Sequence, residues 1–404
     1  MTSARETAAT AALDVAAALA DPAEVARGLP AAHVHSLGDG LAGTALLHAR
    51  LSSVDPVGVP RALAHWESAA AALRDRGPAA PDGVFLGRGA LAASLIVGAG
   101  HLPRGTVPAE AVREGTRWLS DRAEAIAAGG WPPFRPPVYD VVRGLSGIGR
   151  LLLAASEDGR APVEAAPGLK AALTLLTGMV LGGTPGLPGW STAARDSGDG
   201  RGSGSGSGGS RADTGMAHGI AGPLALLSLA ESAGVSVPGQ RDAIESAADW
   251  LLDHRAGASW PPWAPGAPPN GRRDAWCYGA PGIARALDLA AAAVGRERYA
   301  DAGRTSLQAL ADRDPGSWDT RGPGLCHGTA GVLQAALRIR CTVLADAAAA
   351  HTVRLLTRER TDGAGGGEAG FLTGACGAAL ALAQYADLPG RAARPPWDCP
   401  LLTA

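Results

Sequence analysis

Aromatic residues make up only 4% of this 404-residue chain, and β-branched runs are rare. That composition argues against an architecture built from strands, which draw on Val, Ile, Thr and aromatic side chains. No apolar run of about 18 residues is free of charges and breakers, so a membrane-spanning helix is not expected. The formal net charge is −2, which offers no basic field to a nucleic acid. A disulfide framework is also missing. Cys277, Cys326, Cys341, Cys376 and Cys399 are an odd number in a long chain, which suits free or metal-bound thiols better. The N-terminal twenty residues carry Arg5, Glu6 and Asp14 among alanines. They resemble an amphipathic helix rather than a signal peptide, so a cytoplasmic location is expected.

Alanine and glycine are abundant instead. Alanine is the best helix former, and segments such as Ala62–Leu73 and Arg241–His254 show helical periodicity. Glycine, with 57 copies, is costly inside a helix and needs another purpose. Its placement supplies one. A G-x-x-G unit followed by an apolar helical stretch starts at Gly40, Gly144, Gly219, Gly279, Gly328 and Gly374. A weaker copy starts at Gly87, with Ala90 in place of the second glycine. The seven units are spaced by 46 to 75 residues, long enough for two helices and their connections. The stretch after each unit is almost wholly apolar. The stretch before the next is more charged, as in Glu67–Arg76, Glu114–Glu124, Glu245–Arg255 and Arg354–Arg360. Apolar helices belong inside and amphipathic ones outside. The expectation is a single all-α domain over residues 1–404, an α/α toroid of seven inner and seven outer helices. The small glycines would let the inner helices approach one another at their N-terminal ends. An open helical solenoid is the alternative. The longest interval holds a Gly/Ser-rich stretch at about 197–210, which reads as a flexible surface loop.

The reactive residues share a phase with this repeat. His218 and His327 each lie immediately before a unit, Cys277 and Cys326 two before, and Asp140 four before. If the units superpose around a ring, all five enter the N-terminal ends of inner helices and converge at one mouth. Cys376 falls inside its unit and fails this test; it, Cys341 and Cys399 read as incidental. Two cysteines and a histidine are typical zinc ligands, and three of them leave a fourth coordination position open. Taken alone, the same residues also fit buried thiols and a satisfied histidine.

The segments GMAHGIAGPLALL (215–227), AWCYGAPGIARAL (275–287), LCHGTAGV (325–332) and YDVVRGLSGIGRLLL (139–153) are similar to the signature motifs of the lanthionine synthetase C-like family. LPGW (187–190) and WDCPLL (397–402) fit as well. The resemblance spans the chain and implies the same toroid. It implies one zinc ion per chain on Cys277, Cys326 and His327, a catalytic His218, an essential Asp140, and further active-site roles for Arg273 and Tyr278. The implied reaction adds peptide cysteine thiols to dehydroalanine or dehydrobutyrine, closing thioether rings. Its substrate is then a dehydrated, leader-bearing precursor peptide, with a separate dehydratase and export machinery as partners. His218 serves as acid or base, Asp140 orients His218 or holds Arg273, and Arg273 steadies an enolate. For Arg273 a surface ion pair, and for Tyr278 simple packing, are the bland readings. The Trp–Pro stretches at 131–137 and 260–265 suit either a peptide groove or rigid plugs. Competing functions are addition of glutathione to dehydroamino acids and a zinc-stabilised scaffold without chemistry. A terpene-cyclase-like toroid would want an aspartate-rich motif that this sequence does not offer.

Overall fold

The computed structural model of the chain describes residues 3–75, 82–129, 135–184, 186–193, 210–267, 273–361, 369–390 and 395–404. Helix α1 (Ala4–Ala18) and the short α2 (Pro22–Arg27) lead into an alternation of inner and outer helices. Inner α3 (Leu41–Leu51), outer α4 (Gly58–Arg74), inner α5 (Gly87–His101) and outer α6 (Ala109–Ala128) come first. After the one-turn α7 (Pro136–Tyr139) follow inner α8 (Leu145–Glu157), outer α9 (Pro162–Leu181), inner α10 (Ala221–Ser232) and outer α11 (Gln240–Asp253). Inner α12 (Ala280–Val294), outer α13 (Glu297–Ala311), inner α14 (Thr329–Ile339), outer α15 (Thr342–Thr361) and inner α16 (Ala375–Tyr385) complete the series.

Each inner helix packs against the next, and α16 packs against α3. The ring is therefore closed and not a solenoid. Helix α8 is buried along nearly all its length, whereas α6 and α13 bury one stripe each, led by Val112 and Leu119 and by Tyr299 and Leu307. The seventh outer place is taken by α1, whose buried Ala8, Ala12, Val15 and Ala16 face α16 and α15. Among the described residues no helix is long and apolar enough to cross a membrane.

The glycines act on the loops more than on the helices. A side chain at Gly147 would run into the carbonyl oxygen of Val141, in its own entry loop, and its next neighbour would be Val84 Cγ2 of the preceding loop at 2.8 Å. Absence of Cβ thus lets each entry loop fold back over its helix N-terminus and nest against the loop before it. Gly279 adds a positive φ of 110°, which favours glycine. The weak second unit is a one-residue shift: α5 starts with Leu86 as its cap, and Gly89 meets the Gly83 carbonyl as Gly147 meets that of Val141.

Backbone hydrogen bonds join these seven loops into a belt. The N–H groups of Gly38, Val84, Val141, Ala217, Cys277, Cys326 and Leu372 donate in turn to the carbonyls of Phe85, Val142, Ala217, Cys277, Cys326, Leu372 and Gly38, at 2.7 to 3.2 Å. Beneath the belt, the segment Trp397–Ala404 fills the interior of the ring. Trp276 donates to the Leu401 carbonyl, Arg285 to that of Thr403 and Arg150 to that of Ala404. Asp398 is fully buried and bound by Arg338, Gln334 and Thr403. Burial raises its carboxyl, but the charge and hydrogen bonds of Arg338, with Thr403 and Gln334, hold it below the usual range.

A small antiparallel sheet interrupts the all-helical pattern: β1 (Thr192–Ala193), β2 (Ser210–Asp213) and β3 (Trp263–Ala264), in that order. The second Trp–Pro stretch supplies β3, and its Trp260 is a buried plug donating to Leu251. Residues 131–134 of the first stretch and 197–209 of the Gly/Ser stretch lie outside the described residues.

Buried histidines should make the fold acid-sensitive. His48 and His65 donate from Nε2 to the Leu19 and Ala20 carbonyls, fastening the turn after α1 to α3 and α4. Burial holds His65 down at about 4 and His101 at about 3, against an ordinary 6.5, and lowers His48 as well. These groups stay neutral in the fold while the unfolded chain takes up protons below pH 6.5. Stability should fall as pH drops from 6.5 towards 4, and His65→Gln should flatten part of that slope. Thermal midpoints measured across this window check it; a flat profile would contradict the assignment.

Candidate metal centre and active site

Cys277 and Cys326 each stand two residues before the capping glycine of neighbouring inner helices α12 and α14. The belt bond from Cys277 N–H to the Cys326 carbonyl, 3.0 Å, sets the two residues side by side. His327 follows directly, and Gly324 and Gly328 leave no side chain in the tight turn around it. The two Sγ atoms and an imidazole nitrogen of His327 lie within 4.8 Å of one another. Among the described residues this is the only group of three or more such ligands so placed. The Cys326 thiol donates to Cys277, which lowers the Cys277 thiol below its usual range and raises Cys326. A soft S₂N donor set with no carboxylate in it suits zinc, and three donors leave a position for an incoming ligand. The remaining cysteines are elsewhere: Cys376 and Cys399 are buried in the core, where burial pushes Cys399 up to about 12.

His218 enters from the loop before α10, whose Ala217 donates to the Cys277 carbonyl at 3.2 Å. Its Nδ1 meets Asp140 Oδ2 at 2.7 Å. The other oxygen of Asp140 accepts the backbone N–H groups of Arg143 and Gly144 at 2.7 and 2.8 Å. Asp140 is therefore buried, fixed, and aimed at one ring nitrogen. That arrangement places a proton on Nδ1 and leaves Nε2, which has no partner among the described residues, as the working atom. Burial lowers the basicity of His218, but Asp140, with Cys277 and Asp213, raises it above the ordinary value overall.

Tyr278 occupies the same phase between His218 and His327, its ring 6.4 Å from that of His218. Gly215 leaves room for this ring. Burial and the nearby charges of Asp213 and Cys277 raise its phenol well above the usual range, so it stays protonated. Arg273 pairs with Asp319 at 3.8 Å, not with Asp140. It still contributes positive charge at Cys277. All seven residues singled out in the sequence thus gather around one mouth. Sequence reasoning missed Asp213, brought in by β2, and Asp319. Neither has a fixed phase relative to a unit, so no spacing signal marked them.

The family model described as "Lanthionine synthetase C-like protein" matches residues 33–390. The chain belongs to that family. Members of this family are expected to share the toroid, and a solved structure agrees: nisin cyclase superposes with a TM-score of 0.75 over 97% of each chain, at 19% identity. At that identity the likeness concerns the fold. No curated protein sequence matches the chain.

Proposed function

We propose that this chain is a zinc-dependent lanthionine cyclase. It adds cysteine thiols of a dehydrated peptide to dehydroalanine or dehydrobutyrine, forming lanthionine or methyllanthionine rings. The observation that carries the reading is the convergence of Cys277, Cys326 and His327 within 4.8 Å, one loop away from a histidine aligned by a buried carboxylate. Zinc held by those three residues would acidify a fourth, incoming thiol, whose ordinary pKa is near ~8.5.

The chain's own groups account for the rest. His218 Nε2 is free to receive the thiol proton or to deliver one to the α-carbon of the acceptor. Asp140 fixes its tautomer and steadies the imidazolium. Arg273 and the protonated Tyr278 face the same mouth and favour an enolate oxygen. So do the inner-helix N-termini, with their partial positive charge. We read residues 1–404 as one toroid unit. The partners in this reading are a leader-bearing precursor, a separate dehydratase and export machinery, and the location is the cytoplasm.

The substrate assignment is tested by competition. A synthetic peptide with one dehydroalanine and one cysteine is given to the zinc-loaded chain, in parallel with a cysteine-free version plus glutathione. Mass spectrometry after thiol labelling should show accelerated ring closure in the first and adduct at the uncatalysed rate in the second. The reverse pattern would replace the peptide cyclase with a glutathione-adding enzyme.

A further inference from the structure

The mouth holds a second histidine–carboxylate pair that the reaction as described does not use. Asp39 occupies the same phase as His218, Tyr278, His327 and Thr373, immediately before the capping residue of its inner helix. His33 Nδ1 meets Asp39 Oδ2 at 2.9 Å, as His218 Nδ1 meets Asp140 Oδ2 at 2.7 Å. The carboxylate is anchored in both cases. Asp39 accepts from the Thr373 hydroxyl at 3.2 Å on Oδ1, and its own N–H donates to Ser36. The two imidazoles are also equally open, at 43% for His33 and 42% for His218, and Nε2 of neither has a partner among the described residues.

The belt places these two pairs on opposite flanks of the Cys–Cys–His group. Going round the mouth, the loop of His218 binds that of Cys277, which binds that of Cys326, which binds that of Leu372 and Thr373, which binds that of Gly38 and Asp39. His218 thus borders Cys277 directly. The Asp39 pair is reached from Cys326 across the single loop whose Thr373 holds it, and the charge of Asp39 is felt at the Cys326 thiol.

We propose that His33, oriented by Asp39, is a second acid/base of the ring-closing reaction, delivering the proton to the α-carbon while His218 receives the thiol proton. This rests on the cyclase reading. The S–H bond breaks and its proton goes to His218 Nε2. The S–Cβ bond forms, and the Cα=Cβ pair moves onto the carbonyl as an enolate. His33, as the imidazolium, transfers its Nε2 proton to Cα, and the two imidazoles re-equilibrate through water. An imidazole that has just taken a proton beside sulfur is not placed to return it two atoms away on another face. Two pairs on opposite flanks remove that difficulty and set which face of Cα is protonated.

His33→Asn tests this, because the Asn amide can keep the bond to Asp39 while Nε2 is lost. The probe is the synthetic peptide with one dehydroalanine and one cysteine. Zinc content and thermal midpoint should match wild type. Loss of free thiol should slow by about 10- to 100-fold, at or below the lower end of the usual worth of a positioned acid, because water can also protonate the enolate. The product should change from one α-carbon epimer to a mixture, read by chiral analysis of the hydrolysed ring. Asp39→Asn should give the same mixture. In ¹⁵N spectra of the metal-free protein it should also abolish the Nδ1–H preference of His33. A wild-type rate with a single epimer in both variants would overturn the proposal and leave the cyclase reading standing. Failure of the wild-type chain to close the ring would overturn both.

Discussion

In the His218→Asn protein, zinc and fold should persist while ring closure slows by about 10²–10⁴-fold, the usual worth of a positioned acid or base. The geometry separates this residue from the metal ligands. His218 spends Nδ1 on Asp140 at 2.7 Å, and the three-residue ligand group is complete without it. Asn can still donate to Asp140, so the buried carboxylate keeps a partner and the substitution should leave the thermal midpoint nearly unchanged. Thiol addition to dehydroamino acids also runs unaided, so the residual product must be judged by ring pattern and stereochemistry as well as by rate. Zinc analysis followed by timed thiol labelling decides the matter. Loss of zinc would make His218 a ligand. Retained zinc with a wild-type rate would give the proton transfer to another group.

The wild-type chain should hold about one zinc, and Cys326→Ala should lose most of it, because two ligands bind far more weakly than three and no other donor joins the group among the described residues. Cys277→Ala should behave alike, since the two residues occupy equivalent places in adjacent loops. Cys376→Ala is the control: it lies in the core of α16 and should change zinc content not at all. Metal analysis after dialysis, with thermal melts to confirm folding, reads the outcome. Full zinc retention in both ligand variants would place the metal elsewhere.

The ring and its mouth were legible because the repeat carries its own phase. Once seven G-x-x-G units are aligned, Cys277 and Cys326 superpose, and His218 and His327 superpose. The closed belt then turns equal phase into spatial neighbourhood. Features without that phase were hidden. Helix α1 is an ordinary alanine-rich helix in sequence, and only its packing on α16 makes it the seventh outer helix. The shift at Gly89 looked like a degenerate unit because α5 begins one residue early. The sequence leaves the partner of Arg273 open between Asp140 and a surface ion pair. Asp319 takes it, from a loop 46 residues on, by a contact that no local pattern encodes. Asp39 had the right phase all along, but its partner His33 lies on a turn outside the repeat.

The central claim is metal-dependent thioether closure at Cys277, Cys326 and His327. Strip the purified chain of metal with a chelator, restore one equivalent of zinc to half of it, and give both halves the peptide with one dehydroalanine and one cysteine. Then count free peptide thiols over time by alkylation and mass spectrometry. Thiols should disappear rapidly only in the zinc-restored half, with no change in peptide mass before alkylation, since addition within one peptide is an isomerisation. Equal thiol loss in both halves, at the rate of peptide alone, would contradict it.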